Sequence, residues 1–313
     1  MVPAADVVTP TADALYVAES AARRAKKDAP VRHRFFVREH VGEPDPPLAR
    51  VLRGGRGGRG GDVRFRLYLS LLWLVRDEPE LSFPARSWAA LLGLDEPETK
   101  GARRIKDALR WLEDIDLVRL KRAAGHDSVV QVRDDAGTGE PYELPGSAYN
   151  RLRNDPAAAR AHLYTRIPNG LWTGGWMSIL SGPAVAMLLV LLYETARSNS
   201  ATVWFSPSLA DLRYGLSEDT RGKGLLQLEQ AGLVDVRRRA IAPDGFDYRK
   251  VRNVHTLQLD TLTTGRAELR AGQTRAQLRK PTVAEFMGEP FASPDPAPRR
   301  LKKAGPPGTG SSA

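Results

Sequence analysis

Cysteine is absent from the 313 residues, which removes disulfide frameworks and thiolate metal sites at once. Histidine is nearly as scarce. The five (His33, His40, His126, His162 and His255) are too scattered for a local ligand pair, and neither an HExxH run nor a Ser/His/Asp set appears. No metal, no cofactor and no catalytic residue is therefore predicted. Long hydrophobic runs are missing too. The most apolar stretch, Ala184 to Tyr193 (AVAMLLVLLY), is half of the roughly 20 residues a membrane-spanning helix needs, so a buried core helix is expected there. The first thirty residues lack a charged start followed by an apolar run and a cleavage site, so no secretory signal is read. A cytoplasmic, nucleoid-associated protein is the expectation.

Positive charge is what the chain has in excess. Forty-seven Lys and Arg face 37 Asp and Glu, a formal charge of +10 with a pI near 10.0, which favours a polyanionic partner and says nothing about fold. A hydrophobic fraction of 42% supplies a core, and the length allows two ordinary domains.

The chain also repeats itself. Setting Phe83 against Phe205 aligns FPARSWAALLGL with FSPSLADLRYGL, both closing on Gly-Leu at Gly93-Leu94 and Gly215-Leu216. Downstream, Leu-Glu-x-x-x-Leu-Val recurs at Leu112 to Val118 and Leu228 to Val234, and both copies then turn basic. Each copy follows an apolar run, VRFRLYLSLLWLVRD in the first and GPAVAMLLVLLYETAR in the second. Between the matched blocks the first copy is six residues longer.

Each copy reads helix, short strand, helix, turn, helix, strand, wing, strand. In the second, Gly182-Pro183 opens a helix, Thr202 to Phe205 suits a strand, and Ser206-Pro207 restarts helix. Ser217 is placed to cap the next helix, with Glu218 and Asp219 at its positive end. That helix is expected to end at Gly232, before strands around Val234 and from Tyr248 to Leu259. In the first copy the pattern gives helices at Phe65 to Asp77, Pro84 to Leu92 and Thr99 to Asp114, then strands at Leu117 to Arg122 and Val129 to Arg133. Three helices and a β-hairpin make a winged helix. In the third helix Ala102, Ile105, Ala108, Leu109 and Leu112 share one face. Lys100, Arg103, Arg104, Lys106 and Arg110 are left outside, the form needed to enter a major groove.

On these residues the chain resembles tandem winged-helix proteins related to plasmid and phage replication initiators, and in detail actinobacterial proteins of that type. The resemblance covers roughly Pro47 to Leu262. It is carried by PLARVLRGGRGG, RLYLSLLWL, SFPARSWAALLGL and ETKGARRIKDALRWLE in the first half. YTRIPNGLWTGGWMSILSGPA, FSPSLADLRYGLSEDTRGKGL and DYRKVRNVHTLQL carry it in the second. One departure stands out: Gly222 and Gly224 lie early in the second recognition helix, each costing up to about 1 kcal/mol relative to Ala. Either the backbone approaches something closely there or that helix binds more weakly. The His-x-His pair of rolling-circle initiators, which cut DNA with a Tyr, does not occur.

The expected architecture is α+β and mainly helical. A helical or linker extension occupies 1–46, a first winged helix 47–135, a connector 136–161, a second winged helix 162–262 and a basic, Pro-rich, largely disordered tail 263–313. Duplex DNA is the expected partner. Base edges would be read by Lys100, Arg103, Arg104 and Lys106 in the first unit and by Thr220, Arg221 and Lys223 in the second. Lys121, Arg122, Arg237, Arg238, Arg239 and Arg249 would hold phosphates. Initiator-like binding without catalysis leads; a transcriptional regulator is the runner-up. A protein-interaction scaffold is the rival class, with Trp172 and Trp176 of YTRIPNGLWTGGWM either docking a partner or bracing the second unit from within. A homodimer or recruited replication or transcription machinery would fit; a membrane or a small-molecule substrate is not expected. RGGRGGRGG, Arg53 to Gly61, reads as a Gly-rich turn placing the first helix, or as a flexible phosphate-binding segment. GPPGTG near the C-terminus lacks the Lys-Ser/Thr of a phosphate loop.

Overall fold

Alanine sets the character of the first helix. β1 (Val7–Val8) leads into α1 (Ala12–Ala25), where Ala14, Ala18, Ala21 and Ala25 recur three or four residues apart and are all buried. Such a stripe lets neighbouring elements approach closely. β2 (Ala29–Arg32), α2 (His33–Phe36) and α3 (Pro47–Arg53) follow. The structure, a computed structural model, describes residues 7–25, 28–40, 42–53, 59–76, 79–121, 128–240 and 251–270.

The first repeat unit comprises α4 (Arg59–Leu74), β3 (Glu80–Leu81), α5 (Ala85–Leu91), a π-helical turn (Pro97–Gly101), α6 (Ala102–Asp114), β4 (Val118–Lys121) and β5 (Val129–Val132). A connecting stretch holds α7 (Pro145–Arg151), α8 (Pro156–Arg160), β6 (Tyr164–Ile167), α9 (Gly170–Thr173) and α10 (Trp176–Ile179). The second unit then repeats the order with α11 (Gly182–Ser198), β7 (Thr202–Val203), α12 (Pro207–Tyr214), α13 (Glu218–Gln230), β8 (Val234–Ala240) and β9 (Val251–Leu257). α14 (Leu259–Thr264) and β10 (Leu269–Arg270) complete an α+β chain. Among the described residues no helix is long and apolar enough to cross a membrane.

Both units build the same antiparallel sheet, with the third strand in the middle: β3-β5-β4 and β7-β9-β8. The registers coincide as well. Leu81, Val130 and Leu120 form one cross-strand row in the first sheet, and Val203, His255 and Val236 form the equivalent row in the second. The repeat extends to the turns. Gly93 and Gly215 both take left-handed backbone, φ +62° and +63°, after the second helix of each unit. Asp116 and Gly232 do the same after the third, φ 59° and 69°. There Leu117 donates to Leu112 O at 3.0 Å and Leu233 to Leu228 O at 2.9 Å, which satisfies carbonyls that a helix end leaves unpaired.

The units are not separate. α4 packs on α11, and one continuous core includes Phe65, Leu72 and Trp73 from the first with Trp172, Val185 and Leu189 from the second half. Trp73 and Trp172 stack with centroids 4.7 Å apart and planes 7° off parallel. Both indoles are satisfied, Trp73 donating to Asn169 Oδ1 at 2.8 Å and Trp172 to Ser70 Oγ at 3.0 Å. Trp172 and Trp176 are therefore interior residues, and the apolar docking surface considered for that stretch is used up inside the molecule.

The described residues of the 1–46 extension also contribute to this core. Phe35 and Phe36 are fully buried, and β2 pairs antiparallel with β6. Arg32 anchors the junction. It is 2% exposed, donates its backbone N–H to Asp135 Oδ2 at 2.8 Å, ion-pairs with the same carboxylate and reaches Glu143 O at 2.6 Å. Removing one member of such a buried pair costs about 3–5 kcal/mol, because the other charge is left alone. Of 263–313 the structure describes residues through 270, where β10 pairs with β1. The physical reason is short-range complementarity at the sheet edge, Val7 to Arg270 and Val8 to Leu269, with Leu269 buried. Residues 271–313 lie outside the described residues, as do 54–58 of the Gly-Arg run.

Candidate nucleic-acid interface

The helix of the first unit expected to read DNA, α6, follows a tight turn. Gly93 is needed there, since a Cβ would stand 2.4 Å from Ser178 O on top of its left-handed φ. The chain then passes through the π-helical turn, which replaces the α-helical start expected at Thr99. Gly101 is buried against Ala89, with 3.0 Å left for a Cβ. Lys100 sits in this turn and pairs with Glu96 at 2.6 Å. The Lys100 ammonium and then the Thr99 hydroxyl hold the Glu96 carboxyl below its ordinary range.

α6 buries Ile105, Ala108, Leu109 and Leu112 and exposes Arg103, Arg104, Lys106, Asp107 and Arg110. Arg110 pairs with Asp107 at 2.9 Å. Arg103, Arg104 and Lys106 have no acidic partner among the described residues. Trp111 lies under the Arg64 guanidinium, 4.3 Å from its carbon to the ring centroid, which braces α6 on α4. On β4, Arg119 and Lys121 are exposed, the latter paired with Glu80 across β5. Arg119 is an addition that strand alternation from buried Val118 could have revealed. Arg122 lies outside the described residues.

The second unit offers a different surface. Ser217 caps α13 as expected, accepting from Thr220 N at 3.2 Å, and its hydroxyl lies 2.9 Å from that of Thr220. Lys223 is exposed but pairs with Asp219 at 2.8 Å. Arg221 corrects the expectation: it is only 8% exposed and shares the inner face of α13 with Gly224 and Leu228, so it is not presented to a base edge. Spacing of three and four residues from Arg221 to Gly224 to Leu228 carried that signal. The two glycines divide cleanly. Gly224 lets α13 lie on the start of α11, where a Cβ would be 2.4 Å from Pro183 O, whereas Gly222 has nothing within 4 Å.

Exposed charges make the contrast plain. On α6 they are Arg103, Arg104, Lys106 and Arg110 against Asp107 and Asp114, +4 − 2 = +2; on α13 they are Lys223 against Glu218 and Asp219, +1 − 2 = −1. The second sheet is more basic than its helix. Arg237 and Arg238 are exposed on β8, Arg237 held 3.2 Å from Asp235 and Arg238 without an acidic partner among the described residues. Arg239 is half-buried and stands across from Arg252, whose guanidinium lies 4.4 Å from the Trp204 ring centroid. Arg249 lies outside the described residues.

Among the described residues no group of three or more His, Asp or Glu is placed to hold a metal ion. The arrangement offers exposed guanidinium and ammonium groups on one helix and two sheets, chemistry suited to phosphate oxygens and guanine edges. Comparison of the chain with family models, with curated proteins and with solved structures gave no match.

Proposed function

We propose that the two units are winged helices and that the protein binds duplex DNA without chemistry, in the manner of a replication initiator. In this reading α6 enters the major groove with Arg103 and Arg104 at base edges and Lys106 beside them. Lys121, Arg119 and Arg238 contact phosphates. The observation that carries it is the solvent face of α6: three cations without acidic partners, behind a glycine turn, on a helix whose opposite face is wholly apolar. A helix that merely covered a core would gain nothing from leaving such charges unpaired on one side.

Selection of bound fragments from a random duplex pool, using the full chain, tests this. Enrichment of a motif is expected, with log affinity falling linearly in log salt at about −0.9 per neutralised phosphate. Clustered repeats among native fragments would support an initiator, and a single promoter site a regulator. No enrichment, or tight binding indifferent to salt, overturns the reading. A second reading applies to α13 alone, where exposed Leu226 and a net negative face favour contact with protein over contact with DNA.

A further inference from the structure

Between α1 and α5 lies a half-open cavity of about 260 Å³, floored by Leu74 of α4. Its walls are apolar: Val17, Leu74, Phe83, Trp88 and Leu91. Its mouth is not. Tyr16, 74% exposed, stands there with Arg24, whose guanidinium carbon lies 5.0 Å from the Phe83 ring centroid. Arg24 is exposed and has no acidic partner among the described residues, and Ser20 and Ser87 also line the site. No carboxylate lines it.

We propose that this cavity binds a small amphipathic monocarboxylate, apolar body inward and carboxylate on Arg24. Three observations select that class. The volume is below the roughly 300–1,000 Å³ of pockets for drug-sized ligands, so the occupant is small. The walls demand an apolar body. The single unpaired cation rests on an aromatic face, so a ligand carboxylate gains a charge-assisted hydrogen bond without displacing an internal acid. A cationic or neutral ligand leaves that guanidinium unused. α5 carries the cavity on one side and α6 on the other, so occupancy braces the element that supports the reading helix; binding itself does not depend on the DNA reading.

Calorimetric titration of the full chain with hexanoate, heptanoate and octanoate, each beside the alcohol of equal length, tests the assignment. Saturable one-to-one binding is expected, tightening about fourfold per added methylene and favouring acid over alcohol by roughly tenfold. Arg24→Gln should erase the preference for acid and keep the dependence on chain length. Ser20→Trp, placed at the mouth, should weaken every ligand. Both sites face solvent, and thermal melts of the variants verify folding. Equal affinity for acid and alcohol in the unaltered protein, binding unchanged by Ser20→Trp, or no saturable binding of octanoate overturns it.

Discussion

Leu112 to Val118 and Leu228 to Val234 fold alike down to the sign of φ, yet the helices leading into them present opposite charge to solvent. The first unit keeps an apolar back and a cationic front on α6. In the second, the strongest cation, Arg221, has turned inward, and Lys223 is neutralised by Asp219. The backbone plan and the chemistry of the surface are thus specified by different residues. Core positions and turn glycines fix the plan; exposed positions, under no packing constraint, are free to diverge.

The largest expected effect lies in that divergence. Arg103→Ala with Arg104→Ala should lower affinity for a selected duplex by at least about 2 kcal/mol, since a bidentate base contact is worth roughly 1–3 kcal/mol. Thr220→Ala with Lys223→Ala should cost well under about 1 kcal/mol. Gel-shift titrations of the two double variants compare them directly; equal losses would show that both units read DNA.

A second contrast concerns acid. His255 occupies the row position that Val130 holds in the first sheet. Burial lowers its pKa to about 4, so the folded protein keeps it neutral while the unfolded chain protonates near the ordinary value of 6.5. Stability from this group is therefore complete above pH 6.5 and falls as pH drops towards 4, by about 3 kcal/mol in all. His255→Val should flatten that part of the profile in denaturant melts. An unchanged acid profile would mean the imidazole finds a protonated arrangement in the native state.

The two glycines of α13 give smaller effects of opposite sign. Gly224→Ala should destabilise by about 1–3 kcal/mol, because α13 must move away from Pro183 O at the start of α11. Gly222→Ala should stabilise by up to about 1 kcal/mol, since it adds a methyl group in open space within a helix. If Gly222→Ala instead weakens DNA binding, the α13 backbone touches the duplex and the contrast between units shrinks.

Local pattern made much of this legible. Matched Gly-Leu pairs and the Leu-Glu-x-x-x-Leu-Val block carry the turns and the sheet register, because left-handed turns and buried strand positions restrict residue type. The start of α4 at Arg59, six residues before Phe65, was hidden by Gly60 and Gly61. Their low helix propensity is overridden by packing, as a Cβ on Gly61 would stand 2.2 Å from Leu52 O. Least legible was the N-terminal segment. APVR and YTRI have no periodicity that announces their pairing, and an arginine such as Arg32 reads as surface until Asp135, far away in sequence, is brought beside it. The exposure of Arg103 and Arg104 was legible from the apolar spacing of α6, whereas the burial of Arg221 was missed because charge was allowed to outweigh helical spacing.

The Trp73 and Trp172 stack has an optical consequence. Two indoles held nearly parallel at 4.7 Å, one from each half of the chain, couple their strong far-ultraviolet transitions and give a dichroic couplet that either ring alone lacks. Because the pair spans the seam between the halves, that couplet vanishes when they part, even if every helix persists. The molecule thus carries its own gauge of whether its two units are held as one body or have come undone.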